Sequence, residues 1–106
     1  MSLGLVIPLL NEVDLVASVT EAIHATLSGA QIPHTLVLVD NGSTDGTGEL
    51  IDTLAQSMPI VAVHLAQNAG YGGGILAGLS ALAQDPPEIM GWCWGDGQVQ
   101  PETLPP

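Results

Sequence analysis

The chain has 106 residues, of which 46% are hydrophobic, 11 are acidic and none is Lys or Arg, so its formal net charge is −11. This length and apolar content predict one folded domain and exclude a disordered chain. The absence of basic side chains excludes a Walker-type phosphate loop and a basic patch for anionic lipid, and it disfavours nucleic acid as a partner.

The first half of the chain has the pattern of two strands separated by a helix. Residues 4–10 form a short apolar run that predicts a strand, and Asn11 is placed to cap the helix that follows. Apolar side chains recur at helical spacing over residues 16–27, and Gly29 marks the end of that helix. Residues 35–40 predict a second strand, apolar on both faces, as in the middle of a parallel sheet.

The second half repeats this alternation. A polar turn over residues 41–46 precedes a helix with inward apolar side chains at 50–55, and residues 60–65 predict a third strand. A glycine-rich turn at 68–74 opens a third helix, and residues 88–94 predict a fourth strand. The order β-α-β-α-β-α-β predicts an α/β fold with a Rossmann-like parallel sheet and right-handed crossovers.

Polar and glycine residues follow every predicted strand, at positions 11–12, 40–41, 68–70 and 95–96. The carboxyl ends of parallel strands meet at one edge of the sheet, and ligands of such folds bind there. At that edge the Asp40 carboxylate is suited to accept hydrogen bonds from a nucleobase or ribose, and a well-capped turn is the alternative. The sequence therefore predicts a ligand site at this edge.

Other reactive side chains give no catalytic pattern. His24, His34 and His64 lack the spacing of metal ligands, no Ser-His-Asp grouping is indicated, and ordinary surface or core positions are expected for them. Cys93 is the only cysteine, which excludes an internal disulfide and a Cys-rich zinc site. No apolar run is long enough to span a membrane and no signal peptide is indicated, so a cytoplasmic domain is expected.

Four motifs occur in order at suitable spacing: VIPLLNE (6–12), LVLVDNGSTDGT (36–47), LAQNAGYGGG (65–74) and GDGQVQPETL (95–104). Together they resemble the nucleotide-binding N-terminal half of family 2 glycosyltransferases, which have the GT-A fold. The last motif is most similar to the subgroup of polyprenyl-phosphate sugar transferases that includes the dolichol-phosphate mannose synthases. Residues 1–106 are accordingly interpreted as one nucleotide-sugar-binding half-domain without its acceptor half.

The resemblance implies a nucleotide pocket at the predicted edge. Asp40 matches the acidic residue that contacts the base or ribose, and Asn41 replaces a frequent second Asp. The positions implied as nucleotide-binding are Pro8, Asn11, Glu12, Asp40, Gly42, Ser43, Asn68, Gly70 and Gly73.

The resemblance also implies a divalent metal, Mg²⁺ or Mn²⁺. Asp96 matches the second Asp of the family's D-x-D metal motif, and Gln98 matches a further metal-associated polar position. Trp94 stands where the first Asp is expected, so the resemblance implies a weakened metal site. The alternative for Asp96 is a turn that closes the strand.

The implied reaction is inverting transfer of a sugar from a nucleotide-diphosphate donor to an unknown acceptor, polyprenyl phosphate in the most similar subgroup. The general base of the family normally follows the D-x-D strand, so no catalytic residue is assigned within this chain, which is expected to be incomplete as an enzyme alone. Membrane association is expected only of a full-length enzyme.

Two other interpretations remain open. The first is a non-catalytic βα scaffold or half-domain that self-associates through an exposed sheet edge. The second is a dinucleotide-binding Rossmann module, because residues 72–77 fit G-x-G-x-x-A and Asp96 follows Gly74 at a suitable distance.

Overall fold

The computed structural model describes residues 2–92, apart from the side chain of Tyr71, and these residues form the predicted β-α-β-α-β-α-β succession. The strands are β1 (Leu3–Leu9), β2 (His34–Asn41), β3 (Ile60–Leu65) and β4 (Ile89–Trp92), and the helices are α1 (Val13–Gly29), α2 (Thr47–Leu54) and α3 (Gly70–Leu82). None of these helices is long and apolar enough to cross a membrane.

All strand pairings within the described residues are parallel, in the order β3-β2-β1-β4. The central position of β2 confirms the prediction from its apolar pattern, since Leu36, Val37, Leu38 and Val39 are all fully buried. β3 and β4 are the two edges of this sheet.

The helices cover both faces of the sheet. Odd-numbered residues of β1 and even-numbered residues of β2 pack on α1 and α2, as Ile7 and Leu38 do against Val16 and Ile51. The alternate residues face α3, where Val6 and Val39 share a second core cluster with Leu82. Because side chains alternate along a strand, Asp40 faces the α2 side of the sheet. Its neighbour Asn41 faces the α3 side.

α3 packs closely on the sheet, where two of its glycines face β1 and β2. A Cβ at Gly78 would overlap the side chain of Val6, and one at Gly74 would lie 3.0 Å from Nδ2 of Asn41 and 3.4 Å from Cβ of Pro8. This close packing brings the start of α3 directly over the ends of β1 and β2.

Candidate functional site

The loops after β1, β2 and β3 meet at the carboxyl edge of the sheet. We call them loop 1 (residues 10–12), loop 2 (residues 42–46) and loop 3 (residues 66–69). Side-chain hydrogen bonds join loop 1 to loop 2, and others join the last residue of β2 to loop 3, so the three loops form one connected rim.

Asn11 joins loop 1 to loop 2. Its backbone N–H donates to Oγ of Ser43 at 3.0 Å, and its side-chain Oδ1 accepts the N–H of Thr44 at 2.8 Å. Asn11 adopts a left-handed backbone conformation with φ of 51°, which asparagine tolerates better than most residues. The prediction that Asn11 caps α1 is wrong, because this side chain is turned to loop 2.

The start of α1 is instead capped across the loops. The backbone N–H of Val13 donates to Oδ2 of Asp45 at 3.2 Å, and the N–H of Glu12 donates to Oγ1 of Thr47 at 3.1 Å. The Thr47 hydroxyl in turn donates to Oδ1 of Asp45, and this bond is the main reason why the pKa of Asp45 lies below its usual 3.8. Neither Asp45 nor Thr47 was assigned from the sequence, although a D-x-T pattern before a helix is a local capping signal.

Asn41 joins the end of β2 to loop 3 and the start of α3, on the other face of the sheet. Its Nδ2 donates to the carbonyl of Gly70 at 2.9 Å, and its Oδ1 accepts the N–H of Ala69 at 2.9 Å. Oδ1 of Asn68 accepts the N–H of Gly70 at 2.8 Å, which satisfies one N–H at the start of α3. Gly42 allows the loops to meet: its φ is 81°, and a Cβ there would lie 2.6 Å from the backbone N of Asn68.

Asp40 is buried below loop 2, with 9% of its surface exposed. Oδ1 accepts the N–H of Ser43 at 2.9 Å, and Oδ2 lies 3.4 Å from Nδ1 of His64. Nε2 of His64 lies 2.9 Å from Oδ1 of Asp52 on α2. The bond to Asp52 raises the pKa of His64 above 6.5, against a lowering by desolvation, and Asp40 raises it further.

A cavity of about 270 Å³ opens beside these carboxylates. Its lining is polar and lies between loop 2, the start of α2 and β3; the lining residues are Asp40, Ser43, Thr44, Gly46, Gly48, Glu49, Asp52 and His64. His64 could not be assigned to this site from the sequence, because its position opposite Asp40 depends on the register between β2 and β3.

The predicted nucleotide-binding residues all reach this edge, but they divide between the two faces of the sheet. On the side of α1 and α2 lie Asn11, Glu12, Ser43 and the buried Asp40. On the α3 side lie Pro8, Asn68, Gly70 and Gly73, and Gly42 of loop 2 packs against the backbone of loop 3.

The predicted metal ligands Asp96 and Gln98 lie outside the described residues, as does Trp94. Within residues 2–92 no group of three or more His, Cys, Asp or Glu side chains is arranged to hold a metal ion. On sequence grounds, one carboxylate and one amide suit a hard cation that keeps phosphate oxygens and waters as further ligands.

Comparison with known proteins decides the family. The sequence model described as Glycosyl transferase family 2 matches residues 5–106 of this chain. The chain belongs to glycosyl transferase family 2. This confirms the relationship indicated by the four motifs.

Two relatives with assigned activities match most of the chain. It is 32% identical over 105 residues to an undecaprenyl-phosphate 4-deoxy-4-formamido-L-arabinose transferase of Yersinia enterocolitica, covering 96% of this chain and 31% of the relative. It is 35% identical over 104 residues to an undecaprenyl-phosphate mannosyltransferase of Micrococcus luteus, covering 94% of this chain and 40% of the relative. The chain therefore spans about a third of the length of these relatives.

Solved structures confirm the fold as the N-terminal Rossmann-like part of GT-A glycosyltransferases. A mannosyltransferase from Pyrobaculum calidifontis in complex with GDP-Man and Mn²⁺ superposes with a TM-score of 0.68 at 21% identity, covering 89% of this chain and 27% of that one. TarS of S. aureus in complex with UDP gives 0.64 at 20% identity, covering 91% of this chain and 28% of that one.

Membership of family 2 argues against a dinucleotide-binding module. The position of the glycines in α3 argues against it as well. Gly72 and Gly74 lie inside α3, which begins at Gly70, whereas the fingerprint needs its first glycine in the turn that leaves the strand.

Proposed function

We propose that residues 1–106 form the nucleotide-sugar-binding half-domain of an inverting glycosyltransferase whose acceptor is a polyprenyl phosphate. Membership of family 2 supports sugar transfer, and the two relatives quoted above are undecaprenyl-phosphate sugar transferases. Two structural neighbours were solved with GDP-Man and with UDP, which supports a nucleotide-diphosphate donor. In such an enzyme the acceptor half and the general base belong to the remainder of the chain. We expect that remainder also to determine any association with the membrane.

The observation that carries this proposal is the rim formed by loops 1, 2 and 3. Asn41 fixes the end of β2 to the start of α3, while Asn11 fixes loop 1 to loop 2. A crevice at the carboxyl ends of parallel strands is where nucleotides bind in open α/β sheets. We assign the base and ribose to this crevice, with Pro8 below Gly74 on its α3 side.

Charge explains why a metal belongs to this proposal. The chain has no Lys or Arg and carries −11, so positive potential for a diphosphate must come from elsewhere. The first turn of α3 contains no acidic residue, and the amino end of a helix favours anions. Mg²⁺ or Mn²⁺, when bound, would neutralise the charge that develops on the departing diphosphate. Asp96 and Gln98 are the residues we assign to hold it, together with oxygens of the donor.

A thermal-shift screen tests this function. UDP, GDP, thymidine diphosphate and NAD are compared with and without Mn²⁺; a ligand at 100 times its dissociation constant stabilises by about 2.7 kcal/mol. We expect one nucleoside diphosphate to stabilise the chain in a Mn²⁺-dependent manner, and Asp96→Ala to remove that dependence. Asp85→Ala is the matched control, because Asp85 follows α3 at the opposite end of that helix. Stabilisation by NAD alone would contradict the proposal.

Self-association remains the alternative for the isolated chain. β3 and β4 are edge strands of the described sheet, and the apolar side chains of Met90 and Trp92 on β4 are exposed at 44% and 52%. An edge strand can pair with a second chain, but the net charge of −11 opposes association. Light scattering separates the two: a monomer that binds nucleotide supports the proposed function, and a dimer without ligand affinity supports the scaffold.

A further inference from the structure

His64 is placed between two carboxylates that approach opposite nitrogens of its ring. Asp40 lies 3.4 Å from Nδ1 and Asp52 lies 2.9 Å from Nε2. A neutral imidazole carries one N–H and can donate to only one of these carboxylates, whereas the imidazolium donates to both. The arrangement is therefore complete only when His64 is protonated.

The backbone of α2 is shaped to admit this contact. A Cβ at Gly48 would overlap Oδ2 of Asp40 and would lie 3.4 Å from Nδ1 of His64. Gly48 is buried in the first turn of α2, so only glycine leaves room there for the carboxylate and the imidazole to meet.

Asp40 connects His64 to loop 2. Its second oxygen, Oδ1, accepts the N–H of Ser43, and the Ser43 hydroxyl accepts the N–H of Asn11. A continuous series of bonds thus leads from Asp52 on α2, through His64 and Asp40, to loops 1 and 2 at the proposed nucleotide crevice. A change in the position of Asp40 would therefore alter the hydrogen bonds that hold both loops.

We propose that His64, as an imidazolium held between Asp52 and Asp40, is a positioning residue that fixes the Asp40 carboxylate and loop 2 and thereby makes nucleotide binding proton-dependent. The link to nucleotide rests on the proposed function, because loop 2 forms part of the crevice assigned above. His64 itself touches no reacting atom in this scheme; it acts through Asp40.

The direction of the pH dependence follows from the groups around His64. Asp40 faces it from β2 and Asp52 from α2, and Glu49 of α2 lines the same cavity; β3 contributes no other titratable side chain. Asp45, also in loop 2, is turned towards the start of α1. The hydrogen bond to Asp52, opposed by desolvation and assisted by Asp40, raises the pKa of His64 above 6.5. Loop 2 is therefore held in place below about pH 6.5 and released as the pH rises through the raised pKa.

The first test needs no ligand. In NMR titrations of the chain from about pH 5 to about pH 9, which span the range in which a histidine changes charge, the Ser43 amide shift is followed together with the His64 ring. We expect both to share one midpoint, His64→Gln to abolish the Ser43 titration, and Asp52→Asn to lower the midpoint. A Ser43 amide that does not respond while His64 titrates would overturn the positioning role.

His24→Gln is the matched control for this titration. The His24 ring bonds His34 at the first residue of β2, at the amino end of the sheet, with 2.7 Å between Nδ1 and Nε2. Removing this histidine should leave the Ser43 titration unchanged. Loss of the Ser43 titration in His24→Gln as well would show a general acid or base effect on the fold and would count against His64.

The second test measures affinity for UDP and GDP by calorimetry at about pH 6 and about pH 8.5. The nucleotide's own phosphate also titrates near neutrality, so each comparison is between the unaltered chain and His64→Gln at the same pH. Uptake of one proton changes affinity by at most about tenfold per pH unit. We expect the unaltered chain to lose about threefold to tenfold more affinity than His64→Gln over this range.

The two tests separate the failure of the inference from the failure of the function. Nucleotide binding with identical pH profiles in both proteins would overturn the role of His64 and leave the proposed function standing. Absence of binding by either protein at both pH values would contradict the proposed function and the proton-dependent binding, while the Ser43 titration would still decide whether His64 positions loop 2.

Discussion

The carboxylate of Asp45 accepts a hydrogen bond from the backbone N–H of Val13, 32 residues earlier in the chain, at 3.2 Å. The start of α1 is thus capped by a residue of loop 2. Thr47 acts in the same way on the N–H of Glu12. Because the first four N–H groups of a helix have no partner within it, these two bonds tie the start of α1 to loop 2 and the start of α2.

Replacement of Thr47 by valine tests this connection between the loops. Thr47 is fully buried, and Thr47→Val removes both the acceptor for the Glu12 N–H and the donor to Asp45 at nearly constant volume. We expect the free energy of unfolding to fall by about 1–3 kcal/mol, measured by denaturant titration. Thr53→Val is the control, because the Thr53 hydroxyl is exposed and donates within its own helix, to the Glu49 carbonyl. Equal losses in the two variants would contradict a special role for Thr47.

Acid should weaken the same connection through Asp45. Its pKa is lowered, chiefly by the hydroxyl of Thr47, so its contribution to stability is complete above the usual value of 3.8 and is lost as the pH falls through the lowered value. Asp45→Asn should therefore have a lower melting temperature than the unaltered chain at neutral pH. This difference in melting temperature should shrink below about pH 4. Other carboxylates are common to both proteins and cancel in the comparison. A difference that stays constant down to about pH 2.5 would show that the Asp45 charge contributes nothing.

Much of the fold follows from local patterns in the sequence. The apolar run at 35–40 predicted β2 within one residue at each end, because a strand buried on both faces leaves an unbroken apolar signal. The run at 60–65 coincides with β3, although this edge strand is only partly buried. The four motifs led to the correct family and to the GT-A fold.

The details of the site could not be predicted in the same way. The sequence placed Asp40 and Asn41 together at one strand end, but only the direction of each side chain reveals that Asp40 is buried against α2 while Asn41 holds the start of α3. Asn11 looked like a helix cap because asparagine is a common one, and its bonds to Ser43 and Thr44 depend on tertiary contact between loops. His64 was missed because sheet register, not sequence spacing, sets it beside Asp40.

Two glycine substitutions should have opposite effects on stability. Gly42→Ala puts a side chain at φ of 81° and sets its Cβ 2.6 Å from the backbone N of Asn68, where a flexible side chain cannot yield. We expect the free energy of unfolding of Gly42→Ala to fall by about 1–3 kcal/mol or more. Gly72→Ala meets nothing within 4 Å on the exposed side of α3 and should gain about 0.5–1 kcal/mol from helix propensity. The measurement is the free energy of unfolding of both variants; destabilisation by Gly72→Ala would contradict the helical placement of this glycine run.

The departure at Trp94 gives the sharpest test of the proposed metal site. If residues 94–96 correspond to the D-x-D motif, Trp94→Asp supplies a second carboxylate, and Mn²⁺-dependent affinity for a nucleoside diphosphate should rise. Titration calorimetry with UDP and GDP, with Mn²⁺ and without it, measures the change. Trp92→Asp is the matched control, because Trp92 lies two residues earlier on β4, is 52% exposed and receives the same carboxylate. Metal dependence that is unchanged in Trp94→Asp, or raised equally in both variants, would refute the correspondence of residues 94–96 with the motif.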